Sequence, residues 1–165
     1  MMIDILFYSR TGTTKKVAEI LFEELSKCAD VNLIEIRTKR DHRYLTWLLL
    51  SFIPNLGVGI THDEVKATVV FLCMPKWTIN CPPVTSFLRS RCLKGKSVYV
   101  IITYGGFDGE RYAVSYRKKI EKVSRSVREV ILVKRDFIKG KNDLKKVREL
   151  AVRMIEGTEM PEAAP

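Results

Sequence analysis

The sequence has few cysteines, and none of them is spaced as a metal or redox site requires. Cys28, Cys73, Cys81 and Cys92 are scattered, without a Cys-x-x-Cys pair and without a histidine at ligand spacing. This distribution argues against a zinc site and against a redox dithiol. We expect free and mostly buried thiols, of which only Cys81 lies in a loop where it could be exposed enough to react.

The chain also lacks the long apolar segments of a membrane-spanning protein and the polarity of a disordered one. It has 165 residues, 46% of them hydrophobic and 29% charged, which suits one soluble domain with a real core. Met1 is followed directly by the apolar residues 3–8, with no basic leader and no small-residue cleavage site. We therefore expect no secretory signal and a cytoplasmic location.

Acidic residues are in the minority. Lys and Arg number 29 against 19 Asp and Glu, a net charge of +10, and the excess is concentrated in the C-terminal third. A basic surface attracts nucleic acid, anionic membranes, acidic proteins or a phosphorylated cofactor. A solvated face of Lys and Arg explains the charge equally well, because charge patterning alone is weakly specific. We expect no specific nucleic-acid partner.

Short apolar runs alternate with amphipathic segments along the chain. Residues 3–8, 31–37, 67–74, 97–104 and 127–135 are predicted strands, and the third and fourth have the continuous apolar composition of strands buried on both faces. Helical spacing follows the first run as far as Cys28, starts again near Pro82 and Pro83, and recurs over 111–124 and 143–156. Asp143 is the predicted N-cap of the last helix.

Five strands that alternate with helices predict an α/β doubly wound parallel sheet. We expect one domain over residues 1–157, with an apolar and basic insert at about 39–63 and a loose tail over 158–165. In such sheets, ligands bind at the carboxyl ends of strands, beside the switch in strand order. This rule selects three loops, which follow the first, third and fourth strands at residues 9–14, 75–81 and 105–109.

The first loop has the composition of a phosphate site. Four hydroxyl residues, Ser9, Thr11, Thr13 and Thr14, surround Gly12, and the start of a helix adds free N–H groups. Such groups bind phosphate in nucleotide-binding proteins. An ordinary N-cap requires only one Ser or Thr, so the loop exceeds what capping needs.

Two other nucleotide-binding motifs are present only in incomplete form. The only G-x-G, at residues 57–59, has His62 where a third glycine is needed, and no clear strand precedes it. Gly95-Lys96-Ser97 resembles the end of a Walker A loop, but Ser90 replaces the earlier glycine and a strand follows in place of a helix.

The segment from Ile5 to Leu21 resembles the flavodoxin signature at every constrained position. It has an apolar pair, an aromatic residue, the hydroxyl and glycine loop, and then the small Ala18 and apolar Leu21 of the helix. The resemblance implies a flavodoxin-like five-stranded sheet of order 2-1-3-4-5 and a bound flavin mononucleotide (FMN). Its phosphate is then held by the first loop, formed by Ser9, Arg10, Thr11, Gly12, Thr13 and Thr14.

In that family the isoalloxazine ring of FMN lies between the second and third loops, usually stacked on aromatic side chains. The matching second loop consists of Pro75, Lys76, Trp77, Thr78, Ile79 and Asn80, and the third of Thr103, Tyr104, Gly105, Gly106, Phe107 and Asp108. We expect Trp77 and Tyr104 to contact the ring, because a flat π-face supplies a large apolar area. The better-known electron carriers of the family are acidic, so this basic chain should disfavour the anionic reduced flavin less.

The insert contains an almost continuous apolar run over residues 44–53. Ten residues are too short to span a bilayer, which needs about 20. Burial against the protein's own sheet is the favoured interpretation. The alternatives are a homodimer contact or a peripheral membrane contact flanked by the basic residues Arg37, Lys39, Arg40 and Arg43.

The resemblance and the loop chemistry together predict a redox protein that passes electrons to or from a partner protein. The alternative is an FMN-dependent NAD(P)H oxidoreductase that acts on quinones or other small acceptors. A third reading is a binding module that keeps the fold without the flavin. We assign no catalytic acid, base or nucleophile, because in a flavoprotein the cofactor performs the chemistry.

Overall fold

The computed structural model describes residues 1–135, 145, 147–149 and 151–153. Its elements are β1 (Met2–Phe7), α1 (Thr13–Leu25), β2 (Asp30–Glu35), β3 (Arg37–Thr38), α2 (Tyr44–Ser51), β4 (Ile60–Thr61), β5 (Val69–Pro75), α3 (Pro82–Arg89), β6 (Ser97–Tyr104), α4 (Gly109–Glu121) and β7 (Ser126–Lys134). Residues 147–149 and 151–153 are helical, as predicted for the closing helix. Its predicted N-cap Asp143 and the tail 158–165 lie outside the described residues.

Five parallel strands form the main sheet in the order β2-β1-β5-β6-β7. Counted among these five alone, the order is 2-1-3-4-5, which confirms the prediction. The order switches between β1 and β5, whose ends are in register at Phe7 and Cys73. Pro75 at the end of β5 pairs with Thr103 near the end of β6. The three selected loops therefore leave the sheet at one edge, at the switch point where such folds bind ligands.

Both faces of the sheet are buried, as the continuous apolar strands predict. One hydrophobic cluster joins Leu6, Leu72 and Ile102 to helices α3 and α4. The other joins Ile5, Phe71 and Ile101 to α1 and to two residues of the C-terminal helical segment, Val147 and Ala151. Neighbouring residues of one strand thus pack on opposite faces of the sheet. Packing on both faces fixes the position of the edge from which the three loops leave.

Helix α1 is shorter than the periodicity indicates. It ends at Leu25, and Cys28 lies beyond it in a turn, exposed, with its backbone N–H donating to the Leu25 carbonyl at 3.1 Å. The assignment of Cys28 to the apolar stripe was therefore wrong. The sheet-facing side of the helix is already buried through Val17, Ala18, Leu21 and Leu25. A further turn would therefore add no residue that the sheet must cover.

The insert forms a structure of its own beside the sheet. Strands β3 and β4 pair antiparallel and close its base, and α2 lies between them in sequence. Only Trp47 and Ser51 of α2 are buried. The favoured interpretation, burial of the apolar run against the sheet, is wrong for most of its residues, because α2 contacts the protein along one face only. Leu45, Leu49 and Phe52 are each more than half exposed, and Ile53 is 49% exposed.

Candidate functional site

A cavity of about 270 Å³ opens at the carboxyl edge of the sheet. Its walls come from all three selected loops, from α2 and from the residue after β7. The described residues that line it are Ser9, Arg10, Thr11, Thr13, Thr14, Tyr44, Leu48, Pro75, Lys76, Trp77, Thr78, Thr103, Gly105, Gly106 and Arg135. The fold therefore brings together 12 of the 18 residues that the sequence selects, at the place where the topology rule puts a ligand.

The first loop presents an open helix end to this cavity. Gly12 is the N-cap of α1 in the left-handed region, with φ of 84°, a conformation that favours glycine. Gly12 has no side chain that could cap the helix, and no acidic residue lies in the first turn. The N–H of Lys16 bonds to the Gly12 carbonyl at 3.0 Å, so the N–H groups of Thr13 and Thr14 have no acceptor within the helix. The positive end of α1 is thus available to an anion.

The hydroxyls of the first loop are arranged around this helix end. Ser9 Oγ accepts a hydrogen bond from the Gly12 N–H at 3.1 Å, which fixes the turn. The Thr11 and Thr13 hydroxyls are 3.4 Å apart at the exposed side of the loop. Since none of them caps the helix, the interpretation of this cluster as an ordinary N-cap is not supported.

Thr103 connects the three loops. Its hydroxyl lies 2.7 Å from the hydroxyl of Thr14, and both side chains are buried. Its carbonyl accepts the backbone N–H of Lys76 at 2.7 Å. One residue at the end of β6 therefore holds the start of α1 and the start of the second loop in fixed relative positions.

Two aromatic side chains form the other end of the cavity. The rings of Tyr44 and Trp77 have centroids 6.1 Å apart and planes inclined by 34°. The guanidinium of Arg10 lies 5.7 Å from the Tyr44 ring centroid and donates to the His42 carbonyl at 3.3 Å, which ties the first loop to the insert. Sequence reasoning missed Tyr44, because its position depends on how the insert folds back onto the second loop.

The insert reaches the site through hydrogen bonds to the second loop. The Ser51 hydroxyl lies 2.7 Å from the Thr78 hydroxyl, and the Ser51 carbonyl accepts the N–H groups of Ile79 and Asn80 at 3.2 and 2.9 Å. These contacts hold the end of α2 against the loop. The only sequence signal for them was a polar Ser51 within an apolar run.

The cavity is positively charged. Arg10, Lys76 and Arg135 line it, and none of the described lining residues is acidic. Arg135 lies against the third loop, since a Cβ on Gly105 would come within 3.2 Å of its guanidinium carbon. Sequence reasoning missed Arg135 as well, because it follows β7 and belongs to none of the three selected loops.

Two polar atoms beside the cavity are buried without a hydrogen-bond partner among the described residues. They are Nε1 of Trp77 and the hydroxyl of Tyr112. The Lys76 ammonium lies 5.8 Å from the Tyr112 ring centroid. Burial raises the pKa of the Tyr112 hydroxyl well above its ordinary value, so this group stays neutral. Unpaired buried polar groups are uncommon in folded proteins, and one of these two, Trp77, lines the cavity.

Six of the predicted residues do not line the cavity: Gly12, Ile79, Asn80, Tyr104, Phe107 and Asp108. Asn80 is fully buried, and its amide donates to the Ile53 and Leu56 carbonyls at 3.2 and 2.8 Å, so it holds the insert. The Tyr104 ring lies beside Gly109, 3.4 Å from where a Cβ would stand. Phe107 is 94% exposed.

Of the other three residues, Gly12 is the N-cap of α1, and Ile79 and Asp108 lie outside the cavity lining. Ile79 is half exposed. Asp108 takes the left-handed conformation at the start of α4, with φ of 63°, and forms an ion pair with Arg111 at 3.6 Å.

The thiol of Cys81 is inaccessible, which corrects the expectation that it could react. Its side chain is fully buried, and its backbone N–H donates to the Tyr116 hydroxyl at 2.6 Å. Burial raises the pKa of the Cys81 thiol to about 12. The loop that carries it turns inward at the start of α3, a change of direction that the sequence pattern does not reveal.

Neither a metal centre nor a membrane span is found among the described residues. They contain no group of three or more His, Cys, Asp or Glu side chains placed to hold a metal ion. Within the same part of the chain, no helix has both the length and the apolar character needed to cross a membrane.

Comparison with known proteins gives one sequence relative and a consistent fold. No protein-family model matches the chain. A protein of Archaeoglobus fulgidus, described only as an uncharacterized protein, is 41% identical over 133 residues, which cover 81% of this chain and 86% of that one.

Solved structures are similar at the level of the fold. They include a flavodoxin from the domain Archaea (TM-score 0.61, 20% identity, 97% of this chain and 100% of that one). A Lactobacillus acidophilus flavoprotein in complex with FMN has a TM-score of 0.64 at 19% identity, with 79% and 92% covered. A two-electron reduced flavodoxin of Megasphaera elsdenii has a TM-score of 0.60 at 19% identity, with 92% and 99% covered.

Proposed function

The chain belongs to one family with the Archaeoglobus fulgidus protein and has the flavodoxin-like fold, and from this premise we propose that it is an FMN-binding redox protein. In this proposal it passes electrons to or from a partner protein. The observation that carries the proposal is the open, uncapped start of α1, which faces a cavity whose opposite end is aromatic.

The phosphate end of the cavity fits the FMN phosphate. The free N–H groups of Thr13 and Thr14 and the hydroxyls of Ser9, Thr11 and Thr13 are hydrogen-bond donors for its oxygens. Arg10 adds a positive charge beside them. The phosphate therefore takes the place that a capping side chain occupies in an ordinary helix.

The aromatic end fits a flat ring. A ring sandwiched between two others needs about 7 Å between them, since each contact takes ~3.5 Å. The ring centroids of Tyr44 and Trp77 are 6.1 Å apart with planes inclined by 34°, so the two rings must move apart for an isoalloxazine to stack between them. In this proposal Tyr44 takes the second stacking role that the sequence assigned to Tyr104.

Bound flavin supplies the redox chemistry, and the protein supplies position and charge. Lys76 and Arg135 stand at the cavity without a carboxylate among the described lining residues. Positive charge beside the ring stabilises a negatively charged reduced form relative to the neutral oxidised form. We expect the potential for full reduction to be less negative than an acidic site would give.

A visible absorption spectrum tests the proposal. Purified protein, or apoprotein incubated with excess FMN and then desalted, should be yellow, with flavin bands at one FMN per chain. Colourless protein after this treatment would reject FMN binding and support the reading as a binding module that keeps only the fold.

One observation favours a second candidate, an FMN-dependent NAD(P)H oxidoreductase. The cations Arg10 and Arg135 at the cavity can bind the phosphates of a nicotinamide dinucleotide as well as the single phosphate of FMN. Flavin-loaded protein that oxidises NADPH in the presence of a quinone would favour this enzyme. Flavin-loaded protein that is inert until a partner reductase is added would favour the electron carrier.

A further inference from the structure

The insert exposes a group of large apolar side chains, here called the α2 patch. Its members are Tyr44, Leu45, Leu49, Phe52 and Ile53, which are 55, 70, 68, 52 and 49% exposed. Single exposed apolar residues are ordinary, but five within ten residues of chain form a contiguous surface that marks an interaction site.

The patch faces outward because the opposite side of α2 is anchored. Trp47 is 1% exposed, and its Nε1 donates to Asp41 Oδ1 at 3.4 Å. Ser51 is fully buried and paired with Thr78. Leu45, Leu49 and Phe52 stand four and three residues apart, so they share the other face of the helix.

Basic residues precede the patch in sequence, and its own segment contains no charged residue. Residues 44–53 contain no Asp, Glu, Lys or Arg, whereas Lys39, Arg40 and Arg43 come just before. All three are exposed, and none forms an ion pair with a carboxylate of the described residues. The nearby Asp41 is engaged with Trp47, on the anchored side.

We propose that the α2 patch docks on an anionic lipid surface, with its apolar side chains in the interface and the three basic residues at the headgroups. A short apolar helix face beside Lys and Arg is the pattern of a helix that lies in the membrane plane. A second copy of this chain fits less well, since it would place the same basic cluster against itself. Because Tyr44 and Leu48 also line the cavity, docking brings the cavity mouth to the lipid surface.

Vesicle co-sedimentation of the full chain tests this proposal. The probes are vesicles of equal parts phosphatidylglycerol and phosphatidylcholine, compared with phosphatidylcholine alone, at low and at high salt. The wild type should bind the anionic vesicles about tenfold or more tightly than the neutral ones, and salt should weaken binding. The patch and its basic neighbours do not require FMN, so the apoprotein should also bind the anionic vesicles.

Charge-matched variants separate the patch from the overall basic charge. L45E/L49E places two carboxylates in the patch and should lower binding about tenfold or more. V114E/V152E makes the same change of charge at two exposed valines outside the patch, and should bind nearly as the wild type does. R40Q/R43Q should lower binding about fivefold for each arginine removed, whereas K94Q/K122Q should have a much smaller effect.

Two results would overturn the proposal. One is wild-type protein that stays in solution in the presence of anionic vesicles. If that protein is also a dimer that L45E/L49E converts to monomer, the patch binds a second copy of the chain and not a membrane. The other is equal vesicle binding by L45E/L49E and V114E/V152E, which would assign binding to net charge alone. Near-ultraviolet circular dichroism of each variant confirms that the fold is intact.

Discussion

The hydroxyls of Thr14 and Thr103 lie 2.7 Å apart in the buried floor of the cavity, and they join the first turn of α1 to the end of β6. The two residues are 89 positions apart in sequence. Their contact fixes the distance between the first and third loops. The geometry of the site thus depends on a pair of neutral hydroxyls that are each almost fully buried and bond to each other.

The first prediction concerns this pair. T14V leaves the Thr103 hydroxyl buried without its partner and should lower the free energy of unfolding by about 1–3 kcal/mol. T103V should have a similar effect, whereas T14V/T103V should cost less than the sum, since an apolar pair leaves nothing unsatisfied. Urea denaturation of the four proteins measures the coupling. Strictly additive losses would show that the two hydroxyls do not depend on each other.

The second prediction concerns Tyr44. Y44A should weaken FMN binding between about twofold and tenfold, the loss of ~0.5–1.5 kcal/mol expected for one aromatic contact. Y44F keeps the ring and should bind FMN as the wild type does. Fluorescence titration of apoprotein with FMN measures the affinities. Equal affinity of Y44A and wild type would remove Tyr44 from the ring site and return that role to Tyr104.

The third prediction concerns the charge of the cavity. K76Q and R135Q should each make the midpoint potential of full flavin reduction more negative by a few tens of millivolts, given that about 30 mV corresponds to about 1.4 kcal/mol for a two-electron couple. K94Q and K122Q change the net charge equally but lie outside the cavity lining. Spectroelectrochemical titration compares them. Identical shifts for all four variants would show that overall charge, and not these two cations, sets the potential.

The fourth prediction concerns alkaline stability. Burial raises the pKa of the Cys81 thiol from 9.0 to about 12 and that of the Tyr116 hydroxyl from 10.0 to about 12. The unfolded chain therefore releases these protons first as the pH rises. Their contribution to stability is complete below pH 9 and is lost between about pH 9 and 12. The urea midpoint should fall over this range, and less steeply in C81A; a flat profile would contradict the burial of these groups.

Much of the fold could be predicted from the sequence because the signals for its strands and for the first loop each lie within a single segment. Residues 67–74 and 97–104 are mostly apolar and rich in β-branched residues, a composition typical of a strand covered on both faces. The first loop could be selected because its hydroxyls, its glycine and its helix start are adjacent in sequence. These features lie within single segments, where pattern and chemistry are visible without knowledge of the packing.

The rest of the site depends on contacts between distant segments. Tyr44 reaches the cavity because Ser51 bonds to the Thr78 loop, and no periodicity reports such a contact. Asn80 is polar and lies in a selected loop, as a binding residue would, but its amide donates to the Ile53 and Leu56 carbonyls of the insert. The apolar run of the insert was assigned to burial because hydrophobicity alone does not distinguish a face that packs inward from one that stays exposed.

The central claim is that the start of α1 holds a phosphate, and paired titrations with FMN and riboflavin test it most directly. The two ligands share the isoalloxazine ring and differ by the phosphate. FMN should bind the apoprotein at least about tenfold more tightly, since hydrogen bonds to a charged group contribute ~1.5–3 kcal/mol. T13A should reduce the affinity for FMN and leave that for riboflavin unchanged. Equal affinities for FMN and riboflavin in the wild type would contradict the account.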